Sequence, residues 1–364
     1  MTTTFFLQAA FWLSAALVVY AYAGYPLLIF CLGRRRRQPR VVPSSDAELP
    51  TVSLVIAAHN EAEVIEDRLR NALALDYPVD KLEIVIASDG STDGTNKIVR
   101  RFADPRVRLL DLSPRHGKAA ALNAAVPQVR GELVMFSDAN TFWEASAARA
   151  IARWFQDPSV GVVCGKLQLV DSRTGNNVDS LYWRYETFLK QCEARLGVLL
   201  GANGAIYALR RSLYQPIPED TIIDDFVIPL SAYLRTGCAM VYDASATAVE
   251  ETPVQMRSEF GRRARIGAGG FQSIARLRGL LRVRHGWLAV AFVSHKLFRW
   301  FAPFALIALV ASNLALVGRP EYRILLAGQL LYAALAAVGG YMHGRHPAWR
   351  LARAATLFAS VNLS

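Results

Sequence analysis

Asp224 and Asp225 stand side by side in the otherwise apolar stretch TIIDDFVIPL, residues 221–230. Adjacent carboxylates repel each other, and burying either one is costly. A helix N-terminus gives one explanation, because an Asp in the first turn accepts backbone N–H bonds and suits the helix dipole. A catalytic role gives another. The choice between them depends on what other chemistry the chain carries.

Three further polar clusters each follow an apolar run: HNEAE (59–63), SDGSTDGT (88–95) and SDAN (137–140). Any one of them could be an ordinary turn or helix cap. In an α/β domain, however, the carboxyl ends of parallel strands share one edge, and ligands bind there. Three such clusters together indicate a binding site at that edge.

The residue types in these clusters suit a nucleotide diphosphate and a divalent cation. Asp138 and Asn140 offer hard oxygen ligands of the kind that Mg²⁺ or Mn²⁺ prefers. Asp89 can accept hydrogen bonds from a ligand N–H group, and RHGK (115–118) offers cations at a predicted helix start for a diphosphate. His116 alone is more often a polar loop residue. No Walker-type loop with Lys-Ser/Thr occurs, so we expect binding through the base and a metal-held diphosphate.

Apolar, β-branched runs alternate with helical patterns between residues 51 and 155. Strands that are apolar on both faces predict an α/β domain with a parallel sheet covered by helices on two sides. The predicted strands are 51–58, 82–88, 106–111 and 132–137, and the predicted helices run to residue 75 and over 93–103, 117–126 and 144–155.

Long apolar segments lie near both ends of the chain. Phe5 to Leu32 carries no charge and is followed by RRRR, residues 34–37. A signal peptide has its charges before a shorter apolar core, so we expect a retained membrane helix whose basic end is cytoplasmic. Residues 300–317 and 324–342 predict two more spans, whereas 354–363 is too short to cross and looks like part of a fourth helix.

The composition agrees with a membrane protein: 53% of the 364 residues are hydrophobic, mean hydropathy is +0.21 and net charge is +11. A nucleic-acid binder could be this basic, but the arginines cluster beside apolar segments, at 34–40, 257–284 and 343–353. We therefore expect a lipid bilayer as partner and no nucleic acid. Four scattered cysteines suggest neither a disulfide framework nor a zinc site.

The segments 179–195 and 287–299 mix aromatic, basic and apolar residues at roughly helical spacing, which is typical of helices lying in a membrane interface. Thr252 and Pro253 give a start signal for another such helix. The predicted domains are an N-terminal transmembrane helix (1–33), a basic and polar linker (34–50), a catalytic domain (51–250), amphipathic interfacial helices (251–299) and C-terminal transmembrane helices (300–364).

Taken in order, these motifs resemble those of family 2 glycosyltransferases, and in particular the membrane-embedded branch with cellulose, hyaluronan, chitin and poly-N-acetylglucosamine synthases. Each motif is weak alone, but the ordered set is specific and runs along nearly the whole chain. The resemblance implies a GT-A (Rossmann-like) fold that uses a UDP-sugar and Mg²⁺ or Mn²⁺. The motifs are AAHNE, SDGSTDGT, HGKAAALN, SDAN, GANGAIYALRR (201–211), IIDDF and RRARIGAGGFQ (262–272).

The resemblance also implies roles for individual residues. Asp225 matches the Asp of the family's Thr-Glu-Asp motif, the catalytic base, and Asp224 would position the loop or tune that base. Asp138 and Asn140 match the family's Asp-x-Asp motif, with an uncharged Asn at the second, metal-binding position. The implied donor-binding residues are Ala57, His59, Glu61, Asp89, Lys118, Asp138, Arg262 and Arg265, and the implied acceptor or loop residues are Asn203, Gly204, Asp224 and Ile266.

One motif departs from the family pattern. Processive members carry Gln-x-x-Arg-Trp where this chain has RRARI, residues 262–266. Arg265 keeps the arginine that can bind diphosphate, but Arg262 replaces the Gln, and Ile266 replaces the Trp that would stack near the acceptor sugar. A basic interfacial helix is the structural alternative for this segment.

These expectations lead to an inner-membrane, multi-pass, inverting glycosyltransferase with a cytoplasmic catalytic domain. It would add sugar from a UDP-sugar to a growing polysaccharide and could export the product, with accessory export subunits as possible partners. The alternative is transfer of one sugar to a lipid acceptor such as a polyprenyl phosphate or a glycolipid. A non-enzymatic scaffold is disfavoured, because the acidic residues Asp89, Asp138 and Asp225 are all present. The residues leave the sugar and its linkage open.

Overall fold

The computed structural model describes residues 2–34, 45–171, 181–252, 256–341 and 350–363. Its centre is one sheet with strand order β3-β2-β1-β4-β7-β6-β8-β5. The strands are β1 Val52–Ala58, β2 Leu82–Asp89, β3 Val107–Leu112, β4 Leu133–Asp138, β5 Thr141–Trp143, β6 Val160–Asp171, β7 Tyr207–Arg210 and β8 Ala239–Thr252. The helices are α1 Thr2–Val19, α2 Tyr25–Gly33, α3 Ile65–Leu73, α4 Thr95–Arg101, α5 Lys118–Ala125, α6 Ala147–Ala152, α7 Leu181–Arg195, α8 Asp224–Thr236, α9 Met256–Arg276, α10 Trp287–Ala291, α11 Phe298–Ala315, α12 Pro320–Tyr341 and α13 Arg350–Leu363.

The first half of the sheet is parallel, as the sequence predicts. β1 pairs in parallel with β2 and β4, and β2 pairs in parallel with β3. Successive β1 side chains point to opposite faces: Leu54 joins the core on one face with Ile65 of α3. Val55 joins the core on the other face with Leu122 of α5 and Phe226 of α8. Both faces are therefore covered, which explains the continuous apolar run in β1.

The second half of the sheet, which is built from β5 to β8 and lies beyond the four predicted strands, is mixed. β7 runs antiparallel to β4 and to β6, β8 runs parallel to β6, and β5 runs antiparallel to β8. The long β6–β8 ladder has register shifts near Gly165. β5 lies within the predicted SDAN loop region, where a strand of three residues gives no usable periodicity.

In the part of the chain that the structure describes, three helices are long and apolar enough to cross a membrane: Thr3–Gly33, Trp287–Ala315 and Pro320–Gly339. The second of them begins earlier than the sequence suggests, because residues 287–299, expected in the interface, continue directly into α11. The first and second helices pack along each other. Most of the predicted linker (residues 35–44), Pro253 and the basic residues 342–349 lie outside the described part of the chain.

Both of the first two long helices contain a short π-helical segment, Tyr20–Gly24 in one and Phe292–Leu297 in the other. The segments face each other, and the Tyr20 hydroxyl lies 2.9 Å from the Ser294 hydroxyl oxygen. Helix α7 packs against α2 beside this region and joins the domain that contains the sheet to the long apolar helices. The contact between α2 and α7 therefore links the long apolar helices to the domain that contains the sheet.

Candidate active site

Lys118 lies at the centre of an acidic cluster at the carboxyl ends of the parallel strands. Its Nζ is 2.8 Å from Asp138 Oδ1 at the end of β4 and 3.5 Å from Asp224 Oδ2 at the start of α8. α5 begins at Lys118 itself, so three separate elements bring these groups together. Asp138 and the Asp224–Asp225 pair thus face one cleft rather than opposite surfaces.

The Asp225 carboxylate is held by the loop at residues 202–204. Its Oδ2 accepts the Gly204 N–H at 3.0 Å, and its main-chain oxygen accepts the Ala202 N–H at 2.9 Å. A Cβ at Gly204 would lie 3.2 Å from Asp225 Oδ2, so only a glycine lets the backbone approach this carboxylate so closely. Both explanations of the acidic pair therefore apply, because Asp224 and Asp225 form the first turn of α8 and also line the cleft.

The electrostatics of the cluster raise the pKa of both carboxyl groups of the acidic pair. Burial raises the pKa of Asp224 to about 6, with Lys118 opposing the rise and Asp225 and Asp138 adding to it. Burial also raises the pKa of Asp225, against the lowering effect of Lys118 and Lys190. Burial alone lowers the pKa of Lys118, but the three aspartates outweigh it and hold that pKa above its ordinary value. Asp224 Oδ2 is buried and makes no hydrogen bond within the described residues.

Asp89 stabilises the loop before α5, a role that the sequence did not predict. Its two carboxylate oxygens accept the backbone N–H groups of His116 and Gly117, each at 2.7 Å, and the residue is 4% exposed. His59 Nδ1 lies 2.7 Å from the Asp89 main-chain oxygen. Direct contact with a base was the expectation. The two backbone donors make Asp89 hold the loop that starts α5, and contact with a base stays a prediction, because each carboxylate oxygen keeps a second lone pair.

A cavity of about 220 Å³ adjoins this loop. The small side chains of Ala120, Ala121 and Ala124 line it on α5, and Asp89 and Glu219 also contribute. A planar base can lie against such a surface of small residues, next to the loop that Asp89 holds. The cavity therefore adjoins the loop before α5, and its lining includes Asp89 but none of Lys118, Asp138, Asp224 or Asp225.

Two other predicted donor residues lie close to Asp138. Ala57 is opposite Asp138 in the β1–β4 register. Burial raises the pKa of Glu61, and the nearby Asp138 carboxylate adds to this rise. The Glu61 backbone N–H donates to Thr95 Oγ1 at 2.9 Å, which fixes the loop after β1. These residues belong to the same edge of the sheet.

The protein alone offers an incomplete ligand set for a metal. Within the described residues, no group of three His, Cys, Asp or Glu side chains could hold an ion. Asp138 supplies one carboxylate, and the Asn140 amide nitrogen donates to Glu250 at 3.4 Å, which leaves its carbonyl oxygen as an acceptor. Such a pair fits Mg²⁺ or Mn²⁺ when substrate phosphates complete the coordination. The donor chemistry therefore suits a hard cation held jointly with a diphosphate.

The RRARI segment is not brought into contact with the acidic cluster. Arg265 and Ile266 are exposed on α9, and Arg265 makes no hydrogen bond or ion pair within the described residues. The Arg262 side chain lies outside the described part of the chain. α9 nonetheless touches the loop before Asp224, because Gln272 Oε1 accepts the Ile222 N–H at 3.1 Å.

Two basic residues near the site were missed by the sequence reasoning. Arg68 is fully buried, its Nη2 donates to Ser137 Oγ at 3.1 Å, and burial lowers its pKa to about 9 despite the opposing effect of Asp138. The sequence feature that could have revealed Arg68 is its position on the apolar face of α3. Lys190 of α7 donates to Asn203 Oδ1 and to the Ala202 main-chain oxygen. Its helix reads as interfacial, so no local pattern placed it near Asp225.

Asn203 is part of the same support. It is 7% exposed, and its amide nitrogen donates to the Gly165 main-chain oxygen at 2.7 Å. Its backbone N–H donates to Cys164 Sγ at 3.2 Å. The residue predicted to serve the acceptor or the loop therefore ties the 202–204 loop to β6 and to α7.

Comparisons with known proteins give three findings. Residues 53–216 match the family described as "Glycosyl transferase family 2". The chain is 29% identical over 242 residues to a poly-beta-1,6-N-acetyl-D-glucosamine synthase of Staphylococcus aureus (strain COL), which covers 63% of this chain and 57% of the relative. The enzyme of the same name from Staphylococcus epidermidis is 24% identical over 271 residues, 71% of this chain and 64% of the relative. The chain thus matches less than two thirds of the length of these curated relatives.

The similarity to one solved structure extends along nearly the whole chain. A mannosyltransferase from Pyrobaculum calidifontis, in complex with GDP-Man and Mn²⁺, superimposes with a TM-score of 0.73 at 26% identity. The match covers 98% of this chain and 96% of the other. Its extent includes the long apolar helices as well as the sheet.

Proposed function

We propose that this chain, whose residues 53–216 match the family 2 glycosyltransferases and whose fold is of the GT-A type, performs an inverting, metal-dependent transfer from a UDP-sugar at the cytoplasmic membrane face. The acceptor in this proposal is a growing polysaccharide, which the names of the two staphylococcal relatives support. The catalytic domain faces the cytoplasm, beside membrane spans that include Trp287–Ala315.

One observation carries the proposal: Asp138, Lys118 and the Asp224–Asp225 pair share one cleft, although they are far apart in the sequence. Inverting transfer needs a base on one side of the anomeric carbon and stabilisation of the departing diphosphate on the other. The cluster offers both, since Asp225 is held by Gly204 while Asp138 and Lys118 lie at the ends of β4 and α5.

Asp225 takes the proton from the acceptor hydroxyl as its oxygen bonds to the anomeric carbon. A raised pKa makes this carboxylate a stronger base than an exposed aspartate, and the Gly204 N–H fixes the direction of its Oδ2. Lys118 holds positive charge beside Asp138 and Asp224 and keeps a proportion of the cluster ionised. Asp138 and Asn140 would hold the cation, which when bound supplies charge stabilisation for the diphosphate.

The test is Asp225→Asn, with donor binding and turnover measured separately in reconstituted protein. We expect donor affinity to be retained and turnover to fall by about two orders of magnitude or more, because a positioned base is lost. Asp80→Asn, at an exposed acid on the opposite edge of the sheet, is the matched control. A panel of UDP- and GDP-sugars, scored by nucleotide release, identifies the donor. Near-normal turnover in Asp225→Asn would sink the proposal.

A second candidate function is transfer of one sugar to a lipid acceptor. One observation favours it: Ile266 stands where processive members carry Trp. Product size separates the candidates. A labelled polymer retained on size-exclusion chromatography supports the polysaccharide, whereas a single-sugar product that partitions into organic solvent supports the lipid.

A further inference from the structure

The π-helical segment 292–297 aims consecutive polar side chains into the protein at the level where the membrane helices meet α7. π-helical turns widen a helix locally and are frequent at functional sites. Ser294 meets Tyr20 of the facing π-helical segment at 2.9 Å, and His295 Nδ1 lies 2.6 Å from Glu193 Oε1 of α7. The neighbouring Lys296 also points inward, over the ring of Phe226.

The two acids of α7 have partners other than Lys296. Glu193 Oε1 accepts the Tyr25 hydroxyl at 2.8 Å and contacts His295 at 2.6 Å. Glu186 Oε1 accepts from Arg299 Nη1 at 2.5 Å, and Glu186 Oε2 lies 3.4 Å from His295 Nε2. The acids attract Lys296 at longer range, but their close contacts go to residues on either side of it.

Lys296 has no hydrogen bond or ion pair within the described residues. Its Nζ lies 5.7 Å from the centre of the Phe226 ring, and Phe226 directly follows Asp225. The side chain is half-buried, and its Nζ is not among the polar atoms sealed from solvent. Its ammonium group therefore has no anionic partner at close range among the described residues, and it lies over the residue that follows the base.

Lys190 approaches the same carboxylate from α7. Its ammonium group donates to the Ala202 main-chain oxygen and to Asn203 Oδ1, both neutral acceptors, and forms no ion pair in the described structure. The charge of Lys190 lowers the pKa of Asp225, which places it within electrostatic reach of the base. Two ammonium groups without a carboxylate partner thus lie on the membrane side of Asp225.

A cation on a membrane helix is costly unless it serves a function. A lysine that only reaches toward lipid headgroups would extend outward along the helix surface, whereas Lys296 lies over Phe226 inside the protein. Phosphate is the anion that membrane lipids carry at this depth, and an ammonium group binds it through charge-assisted hydrogen bonds. The phosphate of a lipid headgroup would therefore supply the anionic partner that Lys296 lacks, which a neutral sugar chain would not.

We propose that Lys296 and Lys190 form an acceptor subsite that binds the phosphate of a membrane lipid, so that a hydroxyl of the same headgroup reaches Asp225. The proposal rests on the proposed glycosyl transfer and selects its lipid-acceptor form. The hydroxyl oxygen bonds to the anomeric carbon, the bond from that carbon to the diphosphate breaks, and its electron pair leaves with the nucleotide. The hydroxyl proton goes to Asp225.

The experiment uses the full chain in phosphatidylcholine nanodiscs supplemented with equal amounts of either the acidic or the neutral fraction of a bacterial lipid extract, separated by anion exchange. Radiolabelled sugar is followed into the organic phase, and donor affinity is measured in parallel. A third arm offers soluble glycerol phosphate to distinguish free phosphate from a lipid headgroup. The variants are Lys296→Met, Lys296→Arg and, as a matched loss of exposed charge before the same helix, Arg284→Met.

We expect lipid labelling with the acidic fraction only. Lys296→Met should lower kcat/KM for that fraction by about tenfold or more with donor affinity unchanged, because a charge-assisted hydrogen bond is lost. Lys296→Arg and Arg284→Met should stay near wild type. Labelling of the neutral fraction, a water-soluble polymer as sole product, preferential labelling of glycerol phosphate, or an unaffected Lys296→Met would overturn the phosphate subsite. Each of these outcomes is compatible with glycosyl transfer. The proposed function itself would be contradicted if none of the sugar donors gave nucleotide release.

Discussion

Replacing Asp224 with Asn should stabilise the protein at neutral pH. The Asp224 carboxylate is 7% exposed, and its Oδ2 lacks a hydrogen bond within the described residues. Burial is the main reason that its pKa rises from 3.8 to about 6, and Asp225 and Asp138 add to the rise. A shift of about two pH units corresponds to about 3 kcal/mol of unfolding free energy. Asn has the same shape and carries no charge, so it removes this cost.

The sign follows from proton linkage. Because the pKa of Asp224 is higher in the folded state, the folded protein binds the proton more tightly than the unfolded chain does. The stability contributed by this carboxyl group is complete below about pH 4 and is lost as the pH rises through about 6. The gain from Asn should therefore be largest above that range and should vanish in acid. Lys118 keeps Asp138 as its closer partner, at 2.8 Å.

Thermal unfolding of wild type and Asp224→Asn in the same detergent, at about pH 5 and about pH 7.5, measures the effect. We expect the variant to be the more stable protein at the higher pH and the difference to shrink at the lower one. Asp80→Asn, at an exposed acid, controls for removal of a surface charge. A variant no more stable than wild type at about pH 7.5, or an equal difference at both values, would refute the electrostatic reasoning.

Three other substitutions probe separate parts of the site. Gly204→Ala should lower kcat by about tenfold to a hundredfold at unchanged donor affinity, because the new Cβ lies 3.2 Å from Asp225 Oδ2 and displaces it; a raised KM for donor with normal kcat would contradict this. Asn140→Asp should tighten Mn²⁺ binding in the presence of nucleotide diphosphate by about tenfold, seen by paramagnetic resonance of the free ion, since a charged ligand replaces a neutral one; unchanged affinity would remove Asn140 from the cation site. Asp89→Asn should raise the KM for donor by about tenfold with little change in kcat, because one backbone N–H at His116 or Gly117 would face the amide NH₂; an equal fall in kcat would point to a different role.

The sequence predicts most accurately those features that depend on a single strand or helix. β1 and β4 were expected at 51–58 and 132–137 and occur at Val52–Ala58 and Leu133–Asp138, because strands buried on both faces read as unbroken apolar runs. The SDAN cluster spans the carboxyl end of β4, so its place at the edge of the sheet could also be predicted. These predictions need only local pattern and the geometry of parallel strands.

Features that depend on distant partners could not be predicted in the same way. Asp89 has the residue type of a ligand acceptor, and only the fold shows that backbone N–H groups of the loop before α5 use both of its oxygens. Lys190 and Lys296 lie in segments whose composition suggests a membrane interface, and they meet the loops of the catalytic domain through tertiary packing. The roles assigned to individual site residues by resemblance stay predictions until the substitutions above are made.

Because α7 packs against the membrane helices, the catalytic domain depends on those helices for its stability. Cutting the chain to its water-soluble part would leave Glu193 without the Tyr25 hydroxyl and His295, and Glu186 without Arg299. A buried acid stripped of its partners costs about 3–5 kcal/mol, enough to loosen the helix that carries Lys190. Attempts to express residues 45–252 alone should yield an insoluble or inactive fragment, and crystallisation or screening work is better directed at the intact chain in a lipid mimic.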